Sequence, residues 1–124
     1  MQTNPTEIYQ TLKNQLSQLT PPLKIKTDSD TTFELAGTKE TMQGKQKVDG
    51  IFFTQLVLKP KDVRLYFFPI YTHEAEFDSI SENLRKNLKG KSCFHFKKLD
   101  ADLELELNQL LKQGLAIYQQ EGLI

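Results

Sequence analysis

The chain has no tryptophan, two methionines and a single cysteine in 124 residues. A lone Cys93 cannot close an internal disulfide, and no Cys-x-x-Cys pair offers a structural zinc site. Charge of one sign is also missing. Sixteen Lys and Arg balance sixteen Asp and Glu, so no global field would gather a nucleic acid. No apolar run approaches the roughly 18 residues of a membrane span. Met1-Gln2-Thr3-Asn4-Pro5 has neither the basic start nor the apolar stretch of a secretory signal. These absences point to a cytoplasmic protein, monomeric or a small homo-oligomer, with no nucleic-acid or membrane partner. What is present is a 38% hydrophobic share, eight phenylalanines and four tyrosines, enough for one cored domain over 1–124.

The ends of the chain read as helices. Asn4 is a cap, Pro5 suits the first helical position, and Ile8, Leu12, Leu16 and Leu19 recur at helical spacing until Pro21-Pro22. The last helix starts at Asp100, with Asp102 and Glu104 at the positive end of its dipole. Leu103, Leu107, Leu110, Leu111 and Tyr118 form its stripe, and Gly122 closes it. Between the ends the period changes to two. Leu23–Thr27 and Thr31–Leu35 alternate around Asp28-Ser29-Asp30, predicting a hairpin. Thr38–Gln46 is polar and contains Gly44, predicting a loop. Val48–Leu58 and Val63–Phe68 are long strand runs joined by Lys59-Pro60-Lys61-Asp62, whose composition is that of a turn. A middle helix is expected from the Ser79/Glu82 capping pair, with Ile80, Leu84 and Leu88 as its stripe and Gly90 as a left-handed stop. Ser92–Lys97 follows as an inner strand. The order α-β-β-β-β-α-β-α predicts an α+β fold: a single domain with a mostly antiparallel sheet flanked by N-terminal, middle and C-terminal helices. Its expected core draws on Leu12, Leu16, Phe53, Val57, Val63, Leu65, Phe67, Leu84, Leu107 and Leu111.

Candidate chemistry concentrates in Gly90–Lys97. Gly90-Lys91-Ser92 is not a phosphate loop, because Arg85 stands where that motif needs glycine and the element order is reversed. Cys93 and His95 share one strand face, but two ligands make no metal site and no third group orients a nucleophile. Cys93 is expected to be buried among apolar neighbours. His73, Glu74, Glu76 and Asp78 form a second cluster, expected not to converge with Cys93 and His95. Asp100, Asp102, Glu104 and Glu106 are explained by the helix start alone. Lys47–Phe53 departs from the RNA-binding strand pattern in glycine and aromatic spacing.

Phe68-Pro69-Ile70-Tyr71 and Gly90–Lys98, with Gly50–Phe53 and Gln119–Gly122, resemble the YdhG-like bacterial domain-of-unknown-function family over roughly Leu23–Ile124. The resemblance implies a compact α+β domain and brings no catalytic residues. Some relatives carry a frataxin-like iron-chaperone label, which implies an acidic, oxygen-rich metal surface. With no paired catalytic carboxylates, triad or cofactor fingerprint, the residues predict no catalytic site, no cofactor and no metal. They predict a non-catalytic binding module for a small molecule or protein, its candidate ligand-binding residues being Tyr66, Phe68, Tyr71, Lys91, Phe94, His95 and Phe96. The alternative is iron or divalent-metal handling.

Overall fold

The computed structural model describes residues 1–124 and places six strands in one antiparallel sheet. Helix α1 (Pro5–Ser17) leads into strands β1 (Lys24–Asp28) and β2 (Thr32–Ala36), then a small hairpin of β3 (Thr41–Gln43) and β4 (Gln46–Val48). Strands β5 (Phe52–Leu58) and β6 (Val63–Phe67) follow. Short helix α2 (Phe68–Thr72), a one-turn 3-10 helix (Glu74–Phe77) and α3 (Glu82–Arg85) connect to β7 (Leu88–Lys89) and β8 (Cys93–Phe96). Helix α4 (Ala101–Gln120) completes the fold. The large sheet runs β1-β2-β5-β6-β8-β7, and β3-β4 pair only with each other. The architecture is the expected α+β single domain with an antiparallel sheet.

Local chemistry accounts for the long helices. Asn4 Oδ1 accepts from the amides of Thr6 (2.8 Å) and Glu7 (3.3 Å), satisfying two of the donors that a helix start leaves orphaned. Asp100 Oδ1 accepts from Leu103 N at 2.8 Å and does the same for α4. Their apolar stripes, Ile8, Leu12 and Leu16 on α1 and Leu103, Leu107, Leu110 and Leu111 on α4, are buried.

Both helices cover one sheet face, where Phe33, Leu35, Leu56, Leu65, Phe67, Phe94 and Phe96 are fully buried. A β-bulge adds Phe53 to this side. Leu35 pairs with Thr54 and Ala36 with Phe52, so Phe53 has no partner in β2 and the alternation breaks there. Its ring lies edge-on to Phe67 at 5.6 Å and to Tyr118 at 5.7 Å. Thr54, also buried, donates its hydroxyl to Tyr66 O at 2.7 Å. Gly114 of α4 lets the helix approach closely, since a Cβ there would stand 2.5 Å from Phe67 Cζ.

Four local expectations are corrected. Residues 38–46 hold most of the β3–β4 hairpin, turned by Gly44 at φ 64°. The middle helix is one turn long, capped by Ser81, whose Oγ accepts from Leu84 N at 3.0 Å. Leu88 is drawn into strand pairing with Phe94, so Gly90 (φ 85°) turns β7 into β8 instead of stopping a helix. Val57, expected in the core, pairs with Arg64 on the opposite sheet face and is half-buried.

Candidate functional site

The sheet's second face is crossed by two rows of side chains. Thr32, Val57, Arg64 and His95 stand in register across β2, β5, β6 and β8. Beside them run Glu34, Gln55, Tyr66, Cys93 and Lys89, extending the second row to β7. All are half-buried except Lys89, which is exposed. Gln55 Nε2 donates to Glu34 Oε1 at 3.3 Å, a cross-strand link within its row. The two main helices lie on the other side, leaving this outer face free of them.

Asp62 closes one end of the outer face. It is 7% exposed, and its Oδ1 lies 3.4 Å from Arg64 Nε while Oδ2 lies 3.8 Å from His95 Nδ1. The carboxylate accepts a long hydrogen bond from Arg64 Nε and stands near His95 without bonding it, a placement that the turn composition of Lys59–Asp62 does not disclose. Cys93, expected in apolar surroundings, is instead half-buried among Tyr66, Arg64 and Asp62. Burial pushes its thiol pKa up, against the lowering effects of the Tyr66 hydrogen bond and the Arg64 charge, while Asp62 raises it further. The thiol is therefore protonated near neutral pH and is no activated nucleophile.

The seven candidate residues divide between three places. Phe94 and Phe96 are fully buried on the helix side, ring stacked on ring at 5.9 Å, and cannot line a site with Tyr66 and His95. The period of two sends residues 94 and 96 away from 93 and 95, which sets the correction. Tyr66 and His95 belong to the outer face. Phe68, Tyr71 and Lys91 lie beyond its end: the Phe68 ring sits 5.4 Å from Phe52 and is stacked on Tyr71 at 5.9 Å.

Tyr71 and Lys91 also line a cleft of about 180 Å³ between the 3-10 turn, α3 and the β7–β8 turn. Ile70, Phe77 and Leu88 supply its apolar surface, and Glu74, Asp78 and Arg85 join Lys91 as its charges. Arg85 is a cleft residue outside the seven candidates. One of its terminal nitrogens donates to Phe77 O (3.4 Å) and Asp78 O (3.2 Å), which pins the guanidinium at the cleft.

His73 goes elsewhere. Its Nε2 lies 2.6 Å from Glu121 Oε2 and its Nδ1 lies 2.7 Å from Thr72 Oγ1, which is 2.8 Å from Tyr118 OH. This chain ties α2 to the end of α4 and gives the buried Tyr118 hydroxyl its partner. His73 is thus engaged with Glu121, while His95 has Asp62 beside it at 3.8 Å. No group of three His, Cys, Asp or Glu side chains is placed to hold a metal ion.

No family model, curated protein or solved structure matches this chain. No helix is long and apolar enough to cross a membrane.

Proposed function

We propose that this protein is a non-catalytic, cytoplasmic binding module that docks a protein partner on the outer face of its sheet. The observation that carries this reading is the pair of in-register rows from β2, β5, β6 and β8 on the face the helices leave free. Tyr66 and Arg64, at the middle of these rows, are residue types enriched where protein partners bury surface. A protonated Cys93 thiol and a His95 held beside Asp62 give recognition groups and no activated nucleophile. Iron or divalent-metal handling, which the family resemblance implies, has less support, since His73 and His95 each face a different single carboxylate.

A photo-crosslinking residue placed at Val57, with a control at the exposed Leu105 of α4, tests the reading in cells. Discrete protein adducts are expected at position 57 and not at 105. Equal adducts at both positions, or none at 57, would refute it.

A further inference from the structure

The cleft beside Tyr71 is lined by four exposed charged side chains, two of each sign. Its acids, Glu74 and Asp78, come from the 3-10 turn and the residue that follows it, while its bases, Arg85 and Lys91, come from α3 and the β7–β8 turn. None of the four has an oppositely charged side chain within 4.0 Å, and the ion pairs of the molecule all lie elsewhere. Arg85 alone is anchored, through two backbone carbonyls that use one terminal nitrogen and leave the rest of the guanidinium fork to a ligand. Its accessible apolar surface comes from Tyr71 and Leu88, with Ile70 (5% exposed) and Phe77 (2%) sealed beneath them. The cleft's volume is about 180 Å³. That is below the roughly 300 Å³ at which drug-sized pockets begin.

We infer that this cleft binds a small zwitterion of the α-amino-acid class with an apolar side chain. The carboxylate would pair with Arg85 and Lys91, the ammonium with Glu74 and Asp78, and the side chain would lie on Ile70, Tyr71 and Leu88. Both ends of such a ligand are required. A simple carboxylate leaves the two acids repelling it, and a simple amine meets two uncompensated cations. This site is separate from the outer face and stands or falls independently of it.

The test is a titration of the full chain, followed by amide chemical shifts, with L-leucine and L-phenylalanine. The same titration uses 4-methylpentanoate and 3-methylbutylamine, which each keep one charged end of leucine. Saturable shifts confined to the segment Ile70–Lys91 are expected for an amino acid, with each one-ended analogue weaker by about tenfold or more. Lys91→Ala and Glu74→Gln, whose side chains make no hydrogen bond or ion pair in the fold, should each weaken binding about fivefold or more while circular dichroism stays unchanged. Failure to saturate with either amino acid, equal binding of the analogues, or indifference to both substitutions would overturn the inference. Shifts centred on Tyr66, Cys93 and His95 would overturn it too while leaving the outer-face reading in place. Saturable cleft binding without crosslinks at Val57 would do the reverse.

Discussion

Gly114→Ala is a change that helix propensity predicts to be stabilising and that the packing predicts to be harmful. Alanine in a helix interior gains roughly 0.5–1 kcal/mol over glycine. Here the added Cβ would lie 2.5 Å from Phe67 Cζ, 3.0 Å from Pro69 Cγ and 3.1 Å from Pro69 Cβ. Neither neighbour can yield easily. Phe67 is fully buried, with Phe53 edge-on at 5.6 Å and Phe77 edge-on at 5.8 Å, and the Pro69 ring has no rotamer that leaves the contact. Relief must come from displacing α4, which carries the buried stripe Leu103, Leu107, Leu110 and Leu111. Overpacking of this kind costs about 1–3 kcal/mol, so the propensity gain is outweighed and the variant should lose about 1–2 kcal/mol net. For a domain of this size that is a fall in Tm of roughly 4–8 °C. Urea melts of wild type, Gly114→Ala, Phe67→Leu and the double variant form the decisive cycle. Leucine at 67 removes the clashing atom, so the two changes should couple favourably by about 1 kcal/mol or more. A Gly114→Ala protein as stable as wild type, or a coupling of zero, would refute the described approach of α4 to the sheet.

Gly50→Ala should be worse, because its Cβ would fall 1.9 Å from Gly37 O and the obstacle is backbone; loss of the folded circular dichroism signal at 37 °C is expected. Asp100→Ala removes the acceptor for Leu103 N and should cost about 0.5–2 kcal/mol in urea melts, with Asp100→Asn recovering most of it. Alkaline stability should fall between pH 10 and 12. Burial pushes Tyr118 up to about 12 from an ordinary 10, more than the Thr72 hydrogen bond lowers it. The unfolded chain therefore loses that proton first, and the stabilisation present below pH 10, on the order of 2 kcal/mol, is lost as pH rises through 12. Tyr118→Phe should make this part of the urea-midpoint profile shallower without removing it, because burial, with the Asp28 and Asp30 charges, pushes Tyr9 up to about 12 as well.

The elements legible from sequence are those whose own side chains define them. The stripes and caps of α1 and α4 need no partner to be recognised, and the strand runs around Leu65 and Phe94 carry clear period-two patterns. The β3–β4 hairpin is hard to read because its strands are three residues each, mostly polar, and bury little; only Gly44 marks the turn. The middle helix was overdrawn because Leu88 fits a helical stripe as well as a strand pair, and tertiary pairing with Phe94 decides between them. At the candidate site, alternation separates Phe94 and Phe96 from His95, yet it does not say which set the helices cover. That depends on the sides from which α1 and α4 arrive. Arg85 was passed over because its role depends on contact with Phe77 and Asp78 carbonyls seven and eight residues earlier in the chain.

Cys93 is a built-in probe of the outer face, being half-buried there and the one thiol in the chain. Its modification rate by a neutral thiol reagent, measured on the purified protein and in intact cells at the same pH, tests the central claim most directly. An open docking face predicts measurable labelling of the folded purified protein, rising with pH as the raised thiol pKa is approached, and several-fold protection in cells where a partner covers the face. Equal labelling in both settings would contradict the docking role, and a thiol that reacts only on unfolding would contradict the open face itself.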